Sequence, residues 1–172
     1  AQVTQLKRLQ RKREISLRET GTLHPGQQLA FDIVSRHFHT QSKVQLLMGI
    51  FGGPGTGKSV CINRLHHMLQ HKAATLGPTG KVAFLNDGAT IHSFLCIGRV
   101  GDPHDGIKQS KATLQRLQNN LEGVEYIIID EISMVGHRML AWIDKHLKIG
   151  TGKEDIEFGG MNVIIVRDFA QL

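Results

Sequence analysis

Gly52-Gly53-Pro54-Gly55-Thr56-Gly57-Lys58-Ser59 sets a glycine, four residues, a second glycine, a lysine and a hydroxyl residue in direct succession. That order suits one task, the holding of a chain of phosphates. Glycines let the backbone curl until successive N–H groups converge on phosphate oxygens with no side chain between them. A helix opening at Lys58 directs its positive end at the same anion. Lys58 carries an ammonium group toward the β- and γ-phosphates, and the Ser59 hydroxyl is placed to ligate Mg²⁺. Gly53, Pro54, Gly55, Thr56, Gly57, Lys58, Ser59 and Val60 are therefore the expected nucleotide-binding residues. A chance glycine-rich turn is the competing reading. Against it, an apolar strand pattern precedes the motif and a helical pattern follows, the context that phosphate binding requires.

A second constellation follows the apolar run Tyr126-Ile127-Ile128-Ile129, where Asp130 and Glu131 stand side by side. A carboxylate at the end of a buried strand beside the phosphate-loop strand can hold Mg²⁺ through water, which assigns Asp130 to the metal with Ser59. Glu131 can then take a proton from an attacking water as general base. A polar strand end capping a turn is the alternative, and the upstream phosphate motif weighs against it. Two adjacent acids point to hydrolysis by a motor rather than to a nucleotide kinase or a small GTPase. No Asn-Lys-x-Asp guanine motif occurs, so the expected ligands are ATP and Mg²⁺.

Other candidates are weaker. The chain has ten histidines, with His67 and His71 four apart on an expected helix, but no third ligand or protease-type glutamate accompanies them. A polar helix face is the better reading. Cys61 and Cys96 are the two cysteines and lack metal or redox spacing, which fits a reducing compartment.

The elements that must position these groups alternate between strand and helix. A helix is expected over 27–38, with Leu29, Phe31, Ile33, Val34 and Phe38 as its buried stripe. Strands are expected at 44–51, 73–77, 126–129 and 161–166, and helices at 58–71, 81–86, 91–96, 110–121 and 139–147. Apolar strands without alternation, separated by helices, mean a parallel sheet covered on both faces. The 172 residues suffice for one such α/β domain plus an arm. No apolar run approaches the roughly 18–20 residues that cross a bilayer, so no membrane partner is expected. Net charge is +6, with Lys7, Arg8, Arg11, Lys12 and Arg13 crowded into residues 1–20. That stretch, an arm or a marginal helix, is either a solvated tail or a nucleic-acid contact or import signal.

Asp130-Glu131-Ile132-Ser133-Met134-Val135 resembles a motif of the PIF-type (petite integration frequency) DNA helicases of superfamily one, Helitron-encoded relatives included. Leu23-His24-Pro25-Gly26-Gln27, Gly77-Pro78-Thr79-Gly80-Lys81-Val82-Ala83 and Thr90-Ile91-His92-Ser93-Phe94 resemble further family motifs in the family's order. Phe158-Gly159-Gly160 leading to Asp168-Phe169-Ala170-Gln171-Leu172 completes the set. The resemblance implies that residues 21–172 are the first RecA-like motor domain of an ATP-dependent helicase that translocates on single-stranded DNA and opens duplex or forked DNA.

The resemblance gives Gln27 the adenine edge, with Gln28 as competitor, and gives Gln171 a role as γ-phosphate sensor. Thr79, Gly80, His92, Ser93 and Phe94 would line the single strand. For Phe94, a place in the core is equally open. Roles in DNA repair, recombination and telomere maintenance, and an intracellular location in the nucleus or mitochondrion, follow from the resemblance alone.

Two departures stand out. Arg167 occupies a family glycine position, and a turn of positive φ after the strand 161–166 would strain it and misplace Gln171. The second RecA-like domain does not follow Leu172, which suggests a truncated chain of weak or no turnover. A degenerate fragment that binds nucleotide or DNA without motor activity is the rival reading.

Overall fold

The computed structural model describes residues 22–80, 88–98 and 110–168. Helix α1 spans Pro25–His39, and its proline at the first turn needs no helical N–H partner. Strand β1 (Leu47–Gly52) leads through the glycine loop into α2 (Lys58–Leu69). After β2 (Ala73–Gly77) come β3 (Ala89–Thr90) and the short helix α3 (Ile91–Phe94). Helix α4 (Lys111–Leu121), strand β4 (Tyr126–Ile129), helix α5 (His137–Thr151) and strand β5 (Asn162–Asp168) complete the order. Ser110 caps α4 by accepting the Thr113 N–H.

The strands form one sheet in the order β1-β5-β4-β2-β3, every neighbouring pair parallel. β4 explains why its sequence shows no alternation. Tyr126 and Ile128 face a core with Val34 of α1 and Ile62 and Leu65 of α2. Ile127 and Ile129 face the opposite core with Leu117 of α4 and Ile143 and Leu147 of α5. The expected RecA-like α/β architecture, a parallel sheet between two helical layers, is the observed one.

Several expectations need correction. The strand carrying the acid pair is not beside the phosphate-loop strand, because β5 lies between them. The buried stripe of α1 is Ala30 and Val34, flanked by the half-buried Phe31 and Phe38; Leu29 and Ile33 are exposed. Helix α2 stops at Leu69, and Gln70 takes a positive φ of 51°. His67 and His71 therefore do not share one continuous helix face. Among the described residues no group of three or more His, Cys, Asp or Glu could hold a metal.

Arg167 is the largest correction. β5 continues through it, with Arg167 paired to Phe51 and Asp168 to Gly52. Among the described residues, the non-glycine residues of positive φ are Gln41, Gln70, Cys96, Glu131 and Phe158, so Arg167 occupies ordinary strand backbone and no left-handed turn strains it. What it does carry is a buried Nε with no hydrogen-bond partner. The helix expected over 81–86, the loop 98–106 beyond Gly98, the arm 1–20 and Gln171 lie outside the described residues.

Candidate nucleotide and nucleic-acid site

Parallel strands end on the same side of a sheet, and ligands of such folds collect there. In this register Gly52, Gly77, Thr90, Ile129 and Asp168 all reach that one edge. The glycine loop, Thr79 and Gly80, α3 and the acid pair therefore leave the sheet together.

The glycine loop begins at Gly52 and is braced from within. Thr56 donates its N–H and its Oγ1 to the Gly53 carbonyl, at 3.4 and 2.8 Å. Gly55 and Gly57 adopt φ of 72° and 74°, a region that disfavours L side chains. Gly57 has a second reason to be glycine, since a Cβ there would run into Nε2 of Gln27. Lys58 Nζ donates to the Gly52 and Gly53 carbonyls at 2.9 and 2.6 Å, so the ammonium already lies across the loop. Pro54 is exposed, Ser59 is exposed in the first turn of α2, and Val60 is half-buried with its N–H on the Gly57 carbonyl at 3.0 Å.

Gly57 caps α2 without any side-chain acceptor. An N-terminus left open in this way, beside a lysine, suits a phosphate. The Ser59 hydroxyl and the Asp130 carboxylate are hard oxygen donors of the kind Mg²⁺ prefers. These residues fit both ligands.

Gln27 is tied directly to the loop. Its Oε1 accepts the His24 N–H at 3.0 Å, and its Nε2 donates to the Thr56 carbonyl at 2.6 Å. Gln28 instead donates to Asp32 Oδ1 along the exposed side of α1 at 2.8 Å. The contact with the phosphate loop thus belongs to Gln27.

The Asp130 N–H donates to the Leu76 carbonyl at 2.9 Å, carrying the sheet ladder one residue past β4. Asp130 Oδ1 accepts the Glu131 N–H at 2.9 Å, which fixes the carboxylate against its own backbone. Glu131 sits at φ 55° and ψ 46°, the left-handed region, and turns the chain into the 3₁₀ turn Ile132–Met134. Strained backbone of this kind concentrates at functional sites.

Thr79 and Gly80 are exposed just past β2, and Ser93 is exposed on α3. Thr90 caps α3, its Oγ1 accepting the Ser93 N–H at 3.2 Å and donating to Ser93 Oγ at 2.8 Å. His92 is half-buried. Phe94 is half-buried and packs against the core that includes Ile127 and Ile129 of β4. Two residues that the sequence reading passed over, Asn120 and His146, hold the end of α3; no motif spacing marks them.

A family model described as PIF1-like helicase matches residues 22–172. ATP-dependent DNA helicase Pif1 of Bdellovibrio bacteriovorus is 38% identical over 122 residues, covering 70% of this chain and 28% of its own length. ATP-dependent DNA helicase PIF1 of Emericella nidulans is 27% identical over 181 residues, covering 98% of this chain and 24% of its own. The crystal structure of Pif1 helicase from Bacteroides in complex with ADP-AlF3 and ssDNA matches with a TM-score of 0.70 at 28% identity. That match covers 88% of this chain and 33% of the Bacteroides chain. The chain thus spans about a quarter to a third of the proteins it resembles.

Proposed function

This chain belongs to the PIF1-like helicase family, and from that premise we propose that residues 21–172 are the first RecA-like motor domain of an ATP-dependent DNA helicase. The observation that carries this reading is the shared strand edge, with β5 between the phosphate-loop strand and the acid-pair strand. β5, the strand that precedes Gln171 in the sequence, is thus flanked by the phosphate-loop strand on one side and by the strand leading to Asp130 and Glu131 on the other. This supports Gln171 as the residue that registers the γ-phosphate.

Lys58 would exchange the carbonyls of Gly52 and Gly53 for β- and γ-phosphate oxygens, a charge-assisted contact stronger than the neutral-acceptor pair it replaces. Ser59 and Asp130 would hold Mg²⁺, which when bound neutralises charge on the phosphates. Glu131 would take the proton of the attacking water. Gln27 would turn one face of its amide to adenine while bracing the loop. Thr79, Gly80, His92 and Ser93, with the open edge of Phe94, would meet single-stranded DNA through hydroxyl, backbone and ring contacts. The nucleus or mitochondrion is the corresponding location.

Duplex opening requires a second RecA-like domain to step against, and an arginine finger contributes about 10³–10⁵ in rate to related phosphoryl transfer. A second reading, binding without motor action, is favoured by the buried, unpartnered Nε of Arg167 beside the site. The two separate in a chimera in which this chain is joined to a second RecA-like domain of a relative. The motor reading expects ATP hydrolysis stimulated by single-stranded DNA and lowered roughly 10²–10⁴-fold by Glu131→Gln, with nucleotide affinity retained. No stimulated hydrolysis in a folded, ATP-binding chimera leaves only the binding reading.

A further inference from the structure

Helix α3 has four residues, too few to stabilise themselves as an isolated helix. Its position must come from its neighbours, and two side chains from different helices hold the carbonyls at its C-terminal end. Asn120 of α4 donates Nδ2 to the Phe94 carbonyl at 2.7 Å. His146 of α5 meets the Leu95 carbonyl through Nδ1 at 2.8 Å. A carbonyl only accepts, so this contact places the proton on Nδ1.

His146 is 4% exposed, and Leu95 beside it is fully buried. Trp142 approaches His146 edge-on, with ring centroids 5.9 Å apart and an interplanar angle of 61°. The histidine is therefore held in orientation as well as buried. Helix α5 starts at His137, three residues after the 3₁₀ turn that leaves Glu131. The same helix thus runs from near the acid pair to the Leu95 carbonyl at the end of α3.

We propose that Asn120 and His146 are positioning residues for single-stranded DNA: they set the height and tilt of the Thr90–Phe94 segment, touch no DNA themselves, and join that segment to the helix behind the acid pair. This rests on the reading of that segment as a DNA contact given above. The ligand is the sugar–phosphate backbone of a single strand.

The test uses the whole 172-residue chain and a fluorescent oligothymidylate at low salt, read by anisotropy, with Mg²⁺·ATP affinity measured in parallel by calorimetry. His146→Leu keeps bulk but removes the donor, and His146→Asn keeps an N–H close to the place of Nδ1. Leaving the Leu95 carbonyl unsatisfied should loosen α3 and lower DNA affinity about 10-fold in His146→Leu, and similarly for the Phe94 carbonyl in Asn120→Leu. His146→Asn should stay within about threefold of the parent, and ATP affinity should hold within about twofold in all three, as expected for a contact remote from the glycine loop.

Undiminished DNA affinity in both leucine variants, while Ser93→Ala weakens it, overturns the positioning role and leaves the DNA path standing. Undiminished affinity in Ser93→Ala and Phe94→Ala as well removes α3 from the DNA path, and both readings fall. Joint loss of DNA and ATP affinity in both leucine variants assigns the two residues to global folding and also overturns the proposal. So does an asparagine variant as weak as His146→Leu, since the donor would then not be what matters.

Discussion

Gln27 Nε2 and the Thr56 carbonyl are 2.6 Å apart, so a side chain from α1 braces the phosphate loop 29 residues further along the chain. The same amide accepts the His24 N–H, which makes it both a helix cap and a loop brace. With Gln27 in its proposed place at the adenine edge, base recognition and phosphate binding would be mechanically joined through one residue. Gln27→Glu keeps the acceptor for His24 but cannot donate to Thr56. It should lower ATP affinity about 10-fold, the usual worth of a hydrogen-bond partner lost beside a polar site, and should blunt the preference for ATP over GTP. Calorimetry with both nucleotides measures it; equal affinities in variant and parent would remove Gln27 from the site.

Lys58→Ala should weaken Mg²⁺·ATP binding by about 100-fold, because two charge-assisted phosphate contacts disappear together. The melting temperature of the nucleotide-free chain should move less than the affinity does, since the lysine's hydrogen bonds to the Gly52 and Gly53 carbonyls sit on a half-buried loop. A variant that binds ATP as the parent does is incompatible with the proposed site.

Deleting residues 1–20 should flatten the salt dependence of single-stranded DNA binding. Each phosphate contact contributes a slope of about 0.7 for a single strand, so the five clustered lysines and arginines account for a change of up to about 3.5. Anisotropy titrations from low to moderate salt give the slope directly. An unchanged slope assigns the arm to solvent.

Alkaline pH should destabilise the fold in two stages. Burial, opposed by the charge of Arg64, raises the Cys61 thiol from 9.0 to about 11. Burial, aided by the charge of Glu125, raises the Tyr126 phenol from 10.0 to about 12. Both groups hold their protons longer in the folded chain than in the unfolded one. Their contribution to stability is complete below pH 9 and is lost as pH rises through 9–11 for the thiol and 10–12 for the phenol. Melting followed by circular dichroism at pH 8, 10 and 11 should show the fall, and Cys61→Ala should reduce the part between 8 and 10. An identical fall in that variant would mean that the thiol is not responsible.

The local grammar of this chain was readable because its motifs carry their own context. An apolar strand, a glycine loop and a lysine-led helix occupy 47–69 largely as periodicity and motif spacing require. Strand order was not readable, because which strands pair depends on contacts over 100 residues apart, such as Leu47 with Val163. That is why β5 had to be seen between β1 and β4 rather than inferred. The turn expected at Arg167 rests on the family's glycine at that position, which the sequence of this chain alone does not place in a turn. In the structure β5 continues through Arg167, which pairs with Phe51 of the edge strand β1. Helix α5 outran its expected end for a related reason. Gly150 reads as a stop, yet here it lets the helix approach Leu117 and Leu121 of α4, where a Cβ would collide.

The backbone of Glu131 sets two selective pressures against each other. A left-handed conformation costs an L residue about 1–2 kcal/mol, which glycine escapes, although its more flexible unfolded chain has more entropy to lose on folding. Glycine or asparagine at 131 would therefore be favoured in any search for heat resistance, and the carboxylate proposed as the base would be among the first groups discarded. Where lineages of this family have relaxed their dependence on ATP turnover, position 131 is where drift toward a sturdier, silent protein should register early. A thermostable variant that still turns over ATP would have to gain its stability elsewhere, in the cores on the two faces of the sheet, and keep this uncomfortable residue.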